Sequence, residues 1–186
     1  MKKVCLLSIL MSLAISTTVN AAEHRWGVMG SYWSPADVSD GFGPEVRFAF
    51  GMSDHILLDL RGSYFSDLND PSMPNTTLEA MPLEGGLTIT TDNNDTFDFY
   101  AGLGGGYYDI SIKHNGHSYD TSSSGGFYAA IGTEIVFCYE QEYLDITKAT
   151  IAIEAIYRNV TTESIPGMDD ISLSGLGAKI GILLRW

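Results

Sequence analysis

The C-terminal stretch of the chain alternates between apolar residues and small or cationic residues. Counting back from Trp186, every second side chain as far as Leu176 is apolar, and the positions between them include Arg185 and Lys179. A period of two over about ten residues predicts a β-strand with one apolar and one polar face. A tilted strand of roughly 9–11 residues can cross a bilayer. The pattern therefore predicts a membrane-spanning strand at the end of the chain.

Seven earlier segments alternate in the same way and are predicted as strands: 25–33, 45–52, 56–64, 81–89, 97–108, 127–137 and 151–158. Connections rich in Gly, Pro, Asp and Ser separate them. The long connections are predicted at 34–43, 65–77, 109–126 and 160–170, and the shorter turns at 53–55, 91–95 and 139–148. Alternating long and short connections are typical of outer-membrane barrels. The predicted fold class is all-β, an eight-stranded antiparallel up-and-down transmembrane β-barrel.

Pro82 conflicts with this pattern, because proline cannot donate a hydrogen bond to a neighbouring strand. A closed barrel pairs each strand on both sides. We therefore predict a β-bulge or kink near Pro82 and Gly85–Gly86.

The register follows from the cost of placing charge in lipid. A basic side chain at the bilayer midplane costs roughly 2–4 kcal/mol, and a slip by one residue would turn the charged face outward. The charged positions of these strands should therefore face the barrel interior, which side chains fill when there are only eight strands. The predicted lumen charge network consists of Glu45, Arg47, Asp59, Arg61, Glu84, Glu134, Glu154, Arg158 and Lys179.

The N-terminus predicts export. Lys2 and Lys3 precede an apolar run, and Val19-Asn20-Ala21 resembles a cleavage site, so residues 1–21 are interpreted as a signal peptide and 22–186 as one barrel domain. No later stretch of 18 or more apolar residues predicts a spanning helix. The net charge of −13 disfavours nucleic acid as a partner. Cys138 is the one cysteine after the signal, which excludes an internal disulfide.

Four short segments carry a family resemblance: 99–107 (FYAGLGGGY), 131–134 (IGTE), 153–158 (IEAIYR) and 179–186. In these segments the chain resembles the small OmpA-like outer-membrane β-barrel family. The resemblance covers the mature chain and implies a barrel in the cell outer membrane with a lumen of paired charges. It also implies that the barrel-assembly machinery reads the closing strand, with Ile180, Ile182, Leu184 and Trp186 as the assembly signal.

The chain departs from that family in three places. Its last residue is tryptophan where the family usually has phenylalanine, and Pro82 interrupts a strand. Nothing in the sequence corresponds to the peptidoglycan-binding domain of longer OmpA-type proteins. We expect a monomer in contact with outer-membrane lipid and lipopolysaccharide, without a cofactor.

Other candidate sites have simpler interpretations. His114 and His117 are spaced for a metal, but no third ligand is evident, so no metal site is predicted. Acids in the predicted outer loops could hold divalent cations, but solvated loop acids are more common: Asp37, Asp40, Asp67, Asp70, Asp120, Glu163, Asp169 and Asp170. Aromatic residues at the strand ends nearest the short turns predict an interfacial girdle: Trp26, Phe97, Phe99, Phe137 and Trp186.

The favoured function is a structural or surface-interaction barrel with a filled lumen and long acidic outer loops, and not an enzyme. Two alternatives stay open: a lipid A-modifying enzyme, for which His114, His117, Ser118 and Asp120 are the raw material, and a narrow porin-like pore for small solutes. A soluble lipocalin-like barrel is the alternative fold, and it would place the apolar faces inside.

Overall fold

The computed structural model describes residues 23–69, 76–91, 96–114, 117–119, 123–141, 146–160 and 172–186, and the predicted signal peptide lies outside these ranges. None of the described residues belongs to a helix that is long and apolar enough to span a membrane. They form ten β-strands: β1 Arg25–Pro35, β2 Gly41–Ser53, β3 Ile56–Ser63, β4 Phe65–Asn69, β5 Thr76–Thr90, β6 Phe97–His114, β7 His117–Tyr119, β8 Ser123–Gln141, β9 Ile146–Val160 and β10 Gly175–Arg185.

The strands form one closed antiparallel barrel. The pairing runs β5-β3-β2-β1-β10-β9-β8-β6, and β5 pairs with β6 to close the cylinder. β4 pairs with β5 beyond the point where the pairing of β3 ends, and the short β7 pairs with the last residues of β6. The eight-stranded barrel is therefore confirmed. We call the end with Arg25, Arg185 and the short turns the turn end, and the opposite end the loop end.

Several strands extend further than the sequence predicted. The segments expected as loops at 65–77 and 109–126 are largely strand, because β4 and β5 occupy 65–69 and 76–80, and β6 continues to His114. β8 and β9 likewise shorten the turn expected at 139–148. In the upper parts of β5 and β6 the alternation persists, with Leu78 and Ile110 buried. The outward residues described there, Glu79, Asp109, Ser111 and Lys113, are polar, which is why the sequence pattern resembled a loop.

The expected bulge at Pro82 is absent from β5. Its pairing with β6 is continuous from Thr76 to Thr90, with Pro82 opposite Tyr108 and Gly85 opposite Gly105. The interruption falls in the neighbouring strand, where the pairing of β3 with β5 ends at Gly62 and Leu83 and resumes in β4. The register shift occurs between Phe65 and Leu68. The missing N–H of Pro82 is thus accommodated by a break between β3 and β4.

The outer surface of the barrel is an apolar band between two aromatic belts. The turn-end belt contains the predicted girdle residues, all exposed: Trp26, Phe97, Phe99, Phe137 and Trp186. A second belt near the loop end was not predicted and consists of Tyr32, Phe42, Tyr64, Tyr107, Phe127 and Tyr157. Aromatic rings at both edges of an apolar band are characteristic of barrels that span a bilayer.

The closing strand β10 lies between β1 and β9. Beyond its last residue, the backbone amides of His24 and Trp186 each donate to the other's carbonyl, at 3.0 and 3.1 Å. The His24 ring packs between the rings of Phe50 and Trp186, with centroids 6.0 and 5.8 Å away. The end of the chain is therefore fixed to the beginning of β1.

Candidate functional site: a charge-filled lumen

The interior of the barrel contains charged side chains along most of its length. All nine residues of the predicted lumen charge network have their side chains inside, none more than 3% exposed. Arg25, Asp98 and Arg185 join them, so that six acids and six bases are buried. We call these twelve residues the lumen network. Its charges balance, and each acid bonds or pairs with at least one base.

The layer nearest the turn end is centred on Glu134 of β8. Arg25 donates to one carboxylate oxygen at 2.9 Å, and Arg185 donates to the other from Nε at 3.1 Å and Nη2 at 2.7 Å. The Thr150 hydroxyl adds a bond of 3.1 Å to the same carboxylate. Arg185 also donates to Asp98. This layer lies where β1 and β10 meet, so the first and last strands share one buried carboxylate across the barrel.

The middle layer joins opposite walls. Asp59 accepts bonds from Arg47 at 2.9 and 3.1 Å and from Arg61 at 2.6 and 3.1 Å. Arg61 reaches across the lumen from β3 to Glu154 of β9, and Glu154 also accepts a bond of 3.0 Å from the Tyr100 hydroxyl. Each carboxylate here therefore accepts more than one charge-assisted or hydroxyl bond, as a buried charge requires.

Tyrosine rings support the middle layer and use space left by glycine. The Arg47 guanidinium lies 4.7 Å from the Tyr100 ring centroid, and the Arg61 guanidinium lies 4.9 Å from that of Tyr128. A Cβ on Gly132 would lie 2.4 Å from the Tyr100 ring. A Cβ on Gly104 would lie 2.7 Å from the Tyr128 ring. Inward glycines therefore make room for aromatic rings that pack against the arginines.

The upper layer lies toward the loop end and contains two carboxylates. Glu45 accepts a bond of 2.8 Å from Lys179 and one of 2.7 Å from Ser63. Glu84 accepts bonds from Arg158 at 2.7 and 3.2 Å. Lys179 also lies 3.3 Å from Glu154, which links this layer to the one below. The ion pairs are thus continuous from the middle of the barrel to its upper third.

An apolar cluster, not further charge, fills the lumen above Arg158. The guanidinium of Arg158 lies 5.2 Å from the Trp33 ring centroid and 5.7 Å from that of Phe65. We call the cluster the apolar cap. Its members are Trp33, Val38, Phe65, Leu68, Leu78, Ala80, Tyr108, Ile110, Val160 and Leu173.

Two connecting segments complete the apolar cap. Val38 follows β1 and Leu173 precedes β10, and both are buried. The segments that carry them are joined by bonds from the Ala36 and Asp37 amides to the Ser174 and Ser172 carbonyls, at 2.9 and 3.4 Å. The loop end of the lumen is therefore covered by two connecting segments that are hydrogen-bonded to each other.

The lumen network can hold charge in place, but its pairs are not strong net stabilisers. Removing two charges from water costs several kcal/mol per ion, which the pairing offsets only when the hydrogen bonds are nearly complete. Removal of one partner leaves an uncompensated buried charge and is costly. The arrangement therefore fixes the charged side chains against one another along the axis of the barrel.

Three members of the lumen network were missed by the sequence-based prediction. Asp98 lies between the apolar Phe97 and Phe99, Arg185 alternates with Leu184 and Trp186, and Arg25 directly precedes Trp26, but none of the three was counted among the lumen charges. Continuing the alternation to the last residue of each strand would have found all three, because inward positions remain buried up to the turn end.

The surface candidates are only partly described. The backbones of His114 and His117 pair across β6 and β7, but their side chains, and those of Asp67, Asp70, Ser118, Asp120, Glu163, Asp169 and Asp170, lie outside the described part of the structure. Asp37 accepts a bond of 2.8 Å from the Ser172 amide. Within the described residues no three His, Cys, Asp or Glu side chains are grouped to hold a metal.

Asp40 lies at the loop end and bonds to the start of the barrel wall. It accepts hydrogen bonds from the Ser34 hydroxyl, at 2.6 Å, and from Tyr32. These bonds favour the ionised carboxylate and therefore hold the pKa of Asp40 below its usual value. The contact joins the connection after β1 to the upper aromatic belt.

Three residues of the predicted assembly signal lie on the outward face of β10, and Trp186 follows directly after that strand. Ile180, Ile182 and Trp186 are exposed, and Leu184 is partly exposed. The backbones of Ile180, Ile182 and Leu184 pair with both β1 and β9, and the backbone of Trp186 pairs with His24 just before β1.

Neither a protein-family model nor a curated protein matches the sequence. Solved structures do match. OprG from Pseudomonas aeruginosa has a TM-score of 0.65 at 12% identity, covering 89% of this chain and 96% of that one. Neisserial surface protein A has a TM-score of 0.58 at 10% identity, covering 88% and 94%. Ail, the attachment invasion locus protein of Yersinia pestis, has a TM-score of 0.50 at 13% identity, covering 89% and 99%.

These similar structures are small outer-membrane barrels, in agreement with the outer-membrane location predicted from the sequence. At identities of 10 to 13% the similarity establishes architecture and no shared ligand. The chain has the fold of the small, eight-stranded, OmpA-like outer-membrane β-barrels.

Proposed function

We propose that this chain is a plugged outer-membrane barrel with a structural or surface-interaction role, oriented with its loop end outside the cell. The observation that carries the proposal is the lumen network of six acids and six bases, topped by the apolar cap. Short turns on the periplasmic side and longer connections outside are usual for such barrels. Residues 1–21 act as the export signal in this proposal.

A filled lumen argues against a pore. Passage of a solute through the middle layer requires separation of Arg61 from Glu154 or of Arg47 from Asp59, and each separation leaves buried charges unpaired. Passage through the loop end also requires displacement of Val38 and Leu173 from the apolar cap. A solute would therefore have to pass both the middle layer and the apolar cap to cross the barrel.

The sequence segments at the loop end of the barrel are strongly acidic. They contain one base, Lys113, and ten acids: Asp37, Asp40, Asp67, Asp70, Glu79, Asp109, Asp120, Glu163, Asp169 and Asp170. Ail has also been solved in complex with the heparin analogue sucrose octasulfate. A face of this charge repels sulfated ligands, so we do not extend that binding to this chain. Its surface partners should be cationic or neutral.

Conductance in planar bilayers tests the proposal. The refolded wild-type barrel should give no stepwise current at moderate voltage. A variant with Arg47, Arg61 and Tyr100 of the middle layer and Trp33 and Phe65 of the apolar cap all replaced by alanine removes much of both obstacles and serves as the positive control for an opened lumen. Regular stepwise conductance from the wild type would contradict the plug and support the alternative of a narrow pore.

A further inference from the structure

The hydroxyl group of Tyr128 lies deep in the lumen without a direct bond. Tyr128 of β8 is 1% exposed, and its hydroxyl has no hydrogen-bond partner among the residues that the structure describes. By contrast, the Tyr100 and Tyr108 hydroxyls donate directly to carboxylates, at 3.0 and 2.8 Å. Burial of a hydroxyl without a partner is costly. A group that bonds to the Tyr128 hydroxyl is therefore expected.

Inward glycines define where the Tyr128 hydroxyl lies. The ring passes over Gly104 of β6, where a Cβ would lie 2.7 Å from a ring carbon. The hydroxyl ends 2.6 Å from the position that a Cβ of Gly86 on β5 would occupy. The side chain thus crosses one strand and reaches the next, at the level where the middle and upper layers meet.

Two buried carboxylates flank the Gly86 position. Asp59 of β3 is the residue paired with Gly86, and the Cα atoms of such a pair are roughly 4.5–5.5 Å apart. Glu84 is two residues away on the same inward face of β5, or about 7 Å along the strand. The Tyr128 hydroxyl bonds directly to neither of them. The space between the three groups is therefore polar.

Each of the two carboxylates has one oxygen with capacity for a further bond. Four donor atoms of the described residues bond to Oδ2 of Asp59, but Oδ1 accepts one bond, of 3.1 Å from Arg47. Two donor atoms bond to Oε1 of Glu84, but Oε2 accepts one bond, of 3.2 Å from Arg158. A carboxylate has about four acceptor positions, or about two on each oxygen.

We propose that a buried water molecule bridges Tyr128, Asp59 and Glu84. Its oxygen accepts a hydrogen bond from the Tyr128 hydroxyl, and its hydrogens bond to Oδ1 of Asp59 and Oε2 of Glu84. About three hydrogen bonds are typical of a buried water. A metal cation in this place is disfavoured because the lumen network is already neutral, with six acids and six bases. An anion would be repelled by the two carboxylates.

The water site deepens the proposed plug and rests on it, because it joins the middle layer to the upper layer. Lys179 of β10 makes such a connection directly, 3.3 Å from Glu154. The water adds a second connection beside β5, on the opposite side of the barrel from β10. With both connections in place, neither layer can shift along the axis without the other.

X-ray footprinting of the wild-type barrel in lipid nanodiscs tests for the water. X-rays convert a bound water to a hydroxyl radical that oxidises the nearest side chain, and mass spectrometry locates the product. Tyr100 is the matched control, because it is also buried in the lumen, at 4% exposed, but bonds directly to Glu154. Exposure to bulk water alone would label Tyr100 at least as fast as Tyr128. The bound water should reverse this order and label Tyr128 several-fold faster.

The sign of the effect of Tyr128→Phe provides a second test, by urea unfolding in lipid vesicles. If the hydroxyl holds the water, its removal should lower the folded-to-unfolded ratio about fivefold, the equivalent of one ordinary hydrogen bond. If the hydroxyl has no partner, its removal should leave the ratio unchanged or raise it. Tyr100→Phe removes a direct bond and should lower the ratio in either case, so it serves as the control.

Labelling of Tyr128 no faster than that of Tyr100 would overturn the proposal. So would a Tyr128→Phe variant as stable as the wild type or more stable. The labelling comparison uses the wild type alone and holds even if a variant fails to fold. Either result would leave the plug itself intact, because a dry junction between the layers is equally closed to solutes. Stepwise conductance remains the result that contradicts the plug.

Discussion

Arg158 and Glu84 form an ion pair across the lumen between strands that are not neighbours. Arg158 of β9 donates from Nε at 2.7 Å and from Nη2 at 3.2 Å to the two carboxylate oxygens of Glu84 on β5. The Tyr108 hydroxyl donates to the same carboxylate at 2.8 Å. Because the Arg158 guanidinium also lies over Trp33, this pair joins the lumen network to the apolar cap.

Removal of one member of this pair should be strongly destabilising. Glu84→Ala leaves Arg158 buried without its main partner, so the free energy of unfolding should fall by about 3–5 kcal/mol. Urea unfolding in lipid vesicles, followed by tryptophan fluorescence, measures the change. The double variant Glu84→Leu with Arg158→Met should recover much of the loss, because it leaves no buried charge unpaired.

The exposed pair of Glu79 with Lys113 provides the control for that prediction. Lys113→Ala should change the free energy of unfolding by less than about 1 kcal/mol, since a solvated ion pair contributes little. If Glu84→Ala and Lys113→Ala had similar small effects, the lumen network would not be buried as described.

Two adjacent glycines of β6 should respond in opposite ways to the addition of one methyl group. A Cβ at the inward Gly104 would lie 2.3 Å from the Gly85 carbonyl and 2.7 Å from the Tyr128 ring, so Gly104→Ala should impair folding. Gly105 faces outward and has room, so Gly105→Ala should fold normally. The fraction of heat-modifiable protein on unboiled gels measures folding, and equal yields would indicate that the two faces are wrongly assigned.

The terminal tryptophan should affect assembly because it lies where the start of β1 and the end of β10 meet. Trp186→Ala removes the ring that packs on His24 and the last residue of the proposed assembly signal. We expect a several-fold drop in folded protein in the outer-membrane fraction, with Trp186→Phe close to wild type. Leu176→Ala is the control, an exposed side chain at the other end of β10. Equal losses from Leu176→Ala and Trp186→Ala would argue against a role for the terminal residue.

The charge of the outer end predicts its response to polyanions. With ten acids and one lysine there, the chain should not bind immobilised heparin at physiological ionic strength. Ail should be run as the comparison protein, given its complex with a heparin analogue. Salt-sensitive retention of this chain on heparin would show that the acids are masked or neutralised.

Alternation was sufficient to predict the barrel but not the length of its strands. Within the apolar band the outward residues face lipid and are predominantly apolar, so the alternating pattern is easy to recognise, as in Phe97 to Tyr107. Above the band only the inward side is constrained. Leu78 and Ile110 are buried there beside polar neighbours, and a single-sided pattern of that kind resembles a loop. For this reason the sequence analysis did not predict the parts of the strands that extend above the apolar band.

The sequence alone also could not predict which charged side chains pair with each other inside the lumen. Alternation places Arg61 and Glu154 inside, but their contact depends on the barrel's closure, which brings β3 and β9 face to face across the axis. The same holds for the apolar cap, where Val38 and Leu173 come from connecting segments without any periodicity. Pro82 was correctly identified as a conflict, but its effect appears in the adjacent strand.

The central claim is that apolar side chains meet lipid while acids and arginines fill the axis of the barrel. The most direct test is footprinting of the folded wild-type protein in vesicles with a photoactivated probe confined to the bilayer, read out by mass spectrometry. Leu60 and Ile153 should be labelled, and their neighbours Arg61 and Glu154 should not. Labelling of Arg61 or Glu154, with Leu60 and Ile153 protected, would show that the barrel is inside out and would contradict its membrane-spanning assignment.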